Sequence, residues 1–186
     1  YAGFGLFAEN GAKITTAGTS LATDGPKIEV EGGSVALASV GANSEVVVDK
    51  GTVTYDGKGY ALYSKNNGKV NLTDGKLVLK GEATGFSVDA SVPASSQPIK
   101  LTGSKVDMQS DNAILMSIKN AANLSTTGIA ATLLGYSGLN PSDVSTSTGN
   151  NYYKLAVLDG AKINIDGAGI DKSDSTAGSD LSLIHI

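Results

Sequence analysis

Short runs in which apolar and polar residues alternate recur along the chain, most of them closed by an Asn-Gly or Asp-Gly pair. The clearest are Lys69-Val70-Asn71-Leu72-Thr73 and Lys162-Ile163-Asn164-Ile165-Asp166. A period of two puts Val70 with Leu72, and Ile163 with Ile165, on one face of a strand and the polar neighbours on the other. Asn-Gly and Asp-Gly tolerate the positive φ of a tight turn, so each run is expected to end in a sharp change of direction.

These runs belong to a larger repeat: a small residue, two or three apolar residues, a polar turn, an alternating strand, then Gly. Copies begin at Gly5-Leu6-Phe7-Ala8, at Tyr60-Ala61-Leu62-Tyr63 and at Lys154-Leu155-Ala156-Val157. Looser copies run from Val35-Ala36-Leu37-Ala38 through Asn43 to Val46-Val47-Val48, and from Ala113-Ile114-Leu115-Met116 through Asn120 to Leu124. A shorter echo is Leu21–Gly25 followed by Lys27-Ile28-Glu29-Val30. One such unit cannot bury its apolar face alone, whereas stacked units share a continuous column. Two arrangements satisfy the pattern: a parallel β-helix (β-solenoid), or an antiparallel array of hairpins joined at Asn-Gly. The unit length, about 20–30 residues, lies at the low end of solenoid periods and favours the all-β parallel β-helix.

Segments that break the repeat read as inserted loops, at 90–98 and at 135–151. Asn140-Pro141 starts a turn in the second, and the Ser/Thr run after it is expected to be mobile. Ile129–Leu134 before it has the composition of a short helical turn, and Asp171–Asp180 is polar enough to be flexible. The last residues, 181–186, break with the stretch before them and resemble a translated sequencing-adaptor tail. The solenoid is therefore expected to occupy 1–180, and the tail is set outside it. The chain opens at Tyr1 with no export leader, as a segment of a longer protein would.

Composition narrows the chemistry. The 24 glycines, 5% aromatics and absent Trp suit short strands and tight turns, and 40% apolar residues suffice for a core of Val, Ile, Leu and Ala. The net charge is −4, and the cations are all Lys, scattered singly, so a nucleic-acid partner is not expected. Without Cys there is no disulfide, thiolate metal site or thiol nucleophile, and the one histidine, His185, lies in the suspect tail. A nucleophile–base pair therefore cannot be assembled around His or Cys.

Paired carboxylates are the remaining enzymatic possibility, since glycoside hydrolysis needs two facing the scissile bond. The candidates are Asp49, Asp56, Asp74 and Asp89, of which Asp56 and Asp74 precede Gly, where turn geometry explains them. Asp166–Asp174 hints at a Ca²⁺ loop but lacks the order of ligands such a loop requires. No cofactor or metal site is expected. Tyr55, Tyr60 and Tyr63 fall within one coil, and Tyr152-Tyr153 follow the long insert. Such rings either stack in the core or form a partner-binding patch beside a loop.

The unit quoted above, with Gly59-Tyr60-Ala61-Leu62-Tyr63, Asn67-Gly68-Lys69-Val70-Asn71-Leu72 and Asp159-Gly160-Ala161-Lys162-Ile163-Asn164-Ile165, resembles passenger segments of large autotransporter adhesins of Fusobacterium- and Leptotrichia-like anaerobes. The likeness covers most of 1–180. It implies a right-handed β-helix at the bacterial surface, exported through an outer-membrane barrel elsewhere in the same chain. It also implies adhesion to a host or bacterial surface receptor rather than catalysis. The expected binding residues lie in and after the long insert: Tyr136, Asn140, Tyr152 and Tyr153. A polysaccharide-active β-helix and a phage-tail or filament solenoid are the alternatives.

Overall fold

The computed structural model describes residues 3–110, 112–119, 129–146, 154–158 and 182–185. Within them the chain is mostly β-strand, and every strand ladder is parallel. That excludes the hairpin array, whose Asn-Gly turns would join antiparallel neighbours.

The strands fall into stacks that the chain visits in turn. The first holds β1 (Gly3–Glu9), β4 (Ser34–Val40) and β8 (Leu62–Lys65). The second holds β2 (Lys13–Ala17), β5 (Glu45–Asp49), β9 (Lys69–Thr73) and β12 (Ile99–Lys100). The third holds β3 (Lys27–Glu31), β6 (Thr52–Asp56), β10 (Lys76–Lys80), β13 (Lys105–Met108) and β15 (Val144–Thr146). The fourth holds β7 (Gly59–Tyr60), β11 (Ala83–Asp89), β14 (Ile114–Lys119), β16 (Lys154–Leu158) and β17 (Ser182–His185). It continues the first stack, because only Ala61 separates β7 from β8. In the third stack Lys27 pairs with Thr52, Thr52 with Lys76 and Lys76 with Lys105, returns of 25, 24 and 29 residues.

Parallel register turns the alternating pattern into columns. Ile14, Val46, Val70 and Ile99 stack in one, and Ile28, Val53, Leu77, Val106 and Val144 in another. Val70 and Leu72 are fully buried, as their alternation requires, and Ile163 and Ile165 lie outside the described residues. At ~25 cal/mol per Å² of apolar surface, each buried Val or Leu is worth about 1.5–3 kcal/mol against exposure.

The corners keep the columns aligned. Between the second and third stacks Lys50, Asp74 and Gly103 all adopt positive φ, of 56°, 49° and 69°. Next to them a Cβ on Gly75 would lie 2.5 Å from the Gly51 carbonyl and 2.8 Å from Leu72 Cδ1, so only Gly fits that approach. In the following coil Ser104 is fully buried. Its hydroxyl donates to the Leu72 carbonyl at 2.8 Å and accepts from the Gly75 N–H at 3.0 Å, joining two coils through one oxygen.

The first stack is kinked. Ala36 and Leu37, Ala61 and Leu62, and Leu115 and Met116 are consecutive residues that all enter the interior core. The N–H groups of Ala36 and Leu37 both donate to the Ala61 carbonyl, at 3.0 Å each. The strand bends here without an extra residue, since the register is the same on both sides: Phe4 faces Val35 and Leu6 faces Leu37, as Thr84 faces Ile114 and Phe86 faces Met116. The inner position is held by small residues, Gly5, Ala36, Ala61 and Gly85. A Cβ on Gly5 would sit 2.5 Å from the Ala36 carbonyl, and one on Gly85 would strike the Leu115 carbonyl.

Two stretches differ from the sequence expectation. Within the insert expected at 135–151, Val144–Thr146 form β15 rather than mobile loop, because Val144 extends the Val106 column and is 1% exposed. Ser182–His185, expected to stand outside the solenoid, pair with Lys154–Val157 as β17. A short apolar run can supply its N–H and C=O groups to an open strand edge whatever its origin. Ile129–Gly135 forms the expected short helix, α1, with Leu133 and Leu134 in the core, and the loop at 90–98 carries a single 3-10 turn over Ala94–Ser96. Asn120, Leu124 and residues 159–181 lie outside the described residues.

Leu77→Ala should lower the free energy of unfolding in urea by about 2–5 kcal/mol, while Lys27→Ala at the exposed head of β3 in the same stack should change it by less than about 0.5 kcal/mol. Ser104→Ala, which strands the Gly75 N–H, should cost about 1–3 kcal/mol in the same measurement.

Candidate functional site

Beyond the kink two successive coils part company. β7 pairs with β11 at Gly59–Tyr60, yet β8 pairs only with β4 and has no ladder to β11 on its other side. The coils rejoin at β12, where Ile99 pairs with Val70. Between these points the chain leaves the stack as the 90–98 loop, and a cleft of about 800 Å³ opens beneath it. β8 and the corner at Asn66-Asn67 form one wall, the end of β11 and the loop form the other, and Asn71 and Lys100 line its end.

The loop is held by a side chain standing in for the missing strand. The Gln97 amide donates to the carbonyls of Asp89 at 2.7 Å and Val92 at 3.1 Å, and its oxygen accepts the Asp89 N–H at 3.4 Å. Asp89 in turn accepts from the Ser91 N–H at 2.9 Å and the Ser91 hydroxyl at 2.6 Å. Lys100 donates to the Ala94 carbonyl at 2.5 Å and to the Tyr136 carbonyl at 3.3 Å, tying this loop to the turn that follows α1. Burial lowers the Lys100 pKa from its ordinary value.

Charge in the cleft opposes that of the chain. Lys65, Lys69, Lys100 and Lys119 line it together with Glu45 and Asp89, leaving two positive charges in excess in a protein of net −4. Register sets Glu45 beside Lys69 and Asp89 beside Lys119.

The aromatic residues divide between the two readings open to them. Tyr55 is core: it is fully buried, and its hydroxyl donates to the Ser34 carbonyl at 2.6 Å. Tyr60 and Tyr63 are half-buried; the Tyr60 hydroxyl lies 3.0 Å from Ser117 Oγ, which is 2.8 Å from Ser87 Oγ, and Tyr63 lines the cleft. In the coils above, Phe4 and Phe7 stack with ring centroids 4.5 Å apart, and Phe4 remains 44% exposed. Val35 and Ala38 are fully buried without joining the interior core. Their register partners are Phe4, Phe7 and Tyr63, so an aromatic strip roofs the outer side of this stack and ends at the cleft.

Of the residues expected to bind, Tyr136 and Asn140 do not line this cleft. Tyr136 is half-buried and packs against the core. Asn140 begins the 3-10 turn Pro141–Asp143: its N–H donates to Asp143 Oδ2 at 2.8 Å, and its carbonyl accepts the Asp143 N–H at 2.9 Å. Tyr152 and Tyr153 lie outside the described residues. Of the candidate carboxylates only Asp89 enters the cleft; Asp49 pairs with Lys50 at 3.2 Å, Asp74 forms a corner, and Asp56 stacks between Glu31 and Lys80 on an outer edge. Asp166–Asp174 lies outside the described residues, among which no group of three or more His, Cys, Asp or Glu could hold a metal ion. The cleft escaped the sequence pattern because it forms where two coils fail to pair; the eight residues between Asp89 and Pro98 were its only signal.

No protein-family model, curated protein or solved structure matches the chain.

Gln97→Ala should leave global unfolding within about 1–3 kcal/mol of wild type, the cost of orphaned amide partners, while proteolysis within 90–96 accelerates. Asp143 carries a pH prediction. Burial raises its pKa, but the hydrogen bond from Lys105 at 2.5 Å and that from the Asn140 N–H outweigh it, so the carboxyl sits below its ordinary 3.8. The stability it contributes is therefore complete above pH 3.8 and is lost as pH falls through the lower folded value. Asp143→Asn should lower stability by under about 1 kcal/mol at pH 6, because Lys105 is solvent-screened, and the difference should shrink in acid denaturation below pH 3.8.

Proposed function

We propose that this chain is part of a right-handed parallel β-helix of the autotransporter-passenger kind, a non-enzymatic stalk and adhesive surface carried outside a Gram-negative cell. The observation that carries the reading is the parallel register repeated through four stacks at returns of 24–39 residues, interrupted between Asp89 and Pro98 by a loop over a cleft. Stacked coils make a stiff rod, because each coil is fixed only by its neighbours and the hydrogen bonds run along the rod axis. A rod of this kind suits presentation of a surface at a distance from the cell, and loops on a rigid scaffold are where binding residues collect. On this reading the rest of the chain supplies an outer-membrane translocator barrel, and the partner is a receptor on a host or bacterial surface.

The polysaccharide-cleaving alternative is less well supported by the site. Of the two carboxylates in the cleft, Asp89 is engaged with Ser91 and Glu45 stands beside Lys69, so neither is presented as a facing acid and base.

The test is a loop exchange. Replacing residues 90–97 by Asn-Asn-Gly, the corner used at Asn66–Gly68, should abolish attachment of the purified chain to target cells. The β-sheet circular dichroism should persist, with an unfolding midpoint within about 8 °C of wild type, the shift expected from some 2 kcal/mol in a chain of this size. Attachment unchanged by the exchange would contradict the reading.

A further inference from the structure

The cleft is more specific than a generic sticky surface. Its polar lining includes the amides of Asn66, Asn67 and Asn71, the hydroxyls of Ser95 and Ser96, and the lysine ammonium groups at 65 and 69, which with Lys100 and Lys119 outnumber the carboxylates of Glu45 and Asp89. Asn66 and Asn67 are both held at positive φ, 50° and 66°, which fixes the corner backbone that presents them. Tyr63 is the aromatic member, at the end of the outer aromatic strip. Side-chain amides each offer donors and an acceptor, which matches vicinal hydroxyls. A ring offers a flat apolar face, and ammonium groups in excess over carboxylates select a negative charge.

We propose that this cleft binds an acidic oligosaccharide, its hydroxyls hydrogen-bonded by Asn66, Asn67 and Asn71, one sugar ring against Tyr63, and its carboxylates or sulfates met by Lys65 and Lys69. Lys100 acts from behind: its ammonium ties the 90–98 loop to the turn after α1 and so holds the cleft open. The proposal deepens the adhesive reading and rests on it for its biological sense. A peptide strand added to the free edge of β8 is the competing occupant. Such a strand gains specificity from apolar pockets for alternate side chains. The wall and corner around β8 instead present Lys65, Asn66, Asn67, Lys69 and Asn71, which are matched to hydroxyl and anionic groups.

Titration calorimetry on the full chain tests this with tetragalacturonate, a hyaluronate hexasaccharide and sialyllactose as acidic probes. Uncharged cellotetraose and tetraglutamate serve as controls. At least one acidic sugar should bind at least about tenfold tighter than both controls, the worth of one charge-assisted hydrogen bond. The double variant Lys65→Gln, Lys69→Gln should lose at least about tenfold, and so should Tyr63→Ala, whereas Lys27→Gln on a remote edge should bind as wild type does. Unchanged thermal unfolding of each variant excludes misfolding as the cause. Binding of none of the acidic sugars, equal binding of tetraglutamate, or undiminished binding by the Lys65/Lys69 variant would each overturn the proposal. Cell attachment separates the two readings: a chain that binds an acidic sugar but attaches to no cell overturns the adhesive reading and leaves the cleft's assignment standing. Attachment by a chain that binds none of the acidic sugars does the reverse.

Discussion

Coil-to-coil stacking of small and β-branched side chains in parallel register is the interaction on which the rest of this molecule depends. A single coil has an apolar inner face and hydrogen-bonding groups along both edges, and neither is satisfied alone. Setting Val53 over Ile28 and Leu77 over Val53 satisfies both at once. The register fixes the column, and the column penalises slippage, since a shift of one residue would bring Thr54 or Val78 inward and turn Val53 or Leu77 to water. The corners follow from the same constraint. Positive φ at Lys50, Asp74 and Gly103 and the close approach at Gly75 are what a chain must accept if each turn is to lie on the last without displacing the column.

The cleft is the place where this constraint is relaxed. The kink at Gly5, Ala36, Ala61 and Gly85 bends the first stack sharply, and past it β8 and β11 do not pair. Loss of a ladder in the middle of a rod would leave edge groups exposed, and the Gln97 amide covers part of that loss by bonding both polar groups of the Asp89 backbone. A rigid support on three sides and an irregular segment on the fourth is the usual setting for recognition, because the support fixes the geometry while the irregular part varies. Charge adds to this: two excess ammonium groups in an acidic protein mark the cleft as the face toward which an anion would be drawn.

Much of the architecture was legible in the order of residues. The alternation at Lys69–Thr73 specifies an inward pair, and the Asp74-Gly75 corner is written in the two residue types that tolerate it. The buried place of Tyr55 was also readable, two positions from Val53 on the same face, while Tyr60 lies beyond Gly57 and Gly59, where the period restarts. What alternation could not show was the kink, where consecutive residues both point inward and the signal is only smallness. Nor could it show that Val144, in a Ser/Thr-rich stretch, completes a column begun more than a hundred residues earlier. The segment from 136 to 140 illustrates the limit. A loop composition says that a segment leaves the stack, not whether its side chains face solvent or, like the backbone of Asn140, close a turn.

The most direct measurement is oxidative cross-linking of paired cysteines in dilute protein, made clean by the absence of native Cys. Thr54 and Val78 are register partners on adjacent coils, whereas Asn71 and Val78 would face each other only if Asp74-Gly75 closed an antiparallel hairpin. The stacked-coil account predicts that the Thr54→Cys, Val78→Cys chain forms an intramolecular disulfide and that the Asn71→Cys, Val78→Cys chain does not. Rapid closure of the second pair, with none of the first, would contradict it.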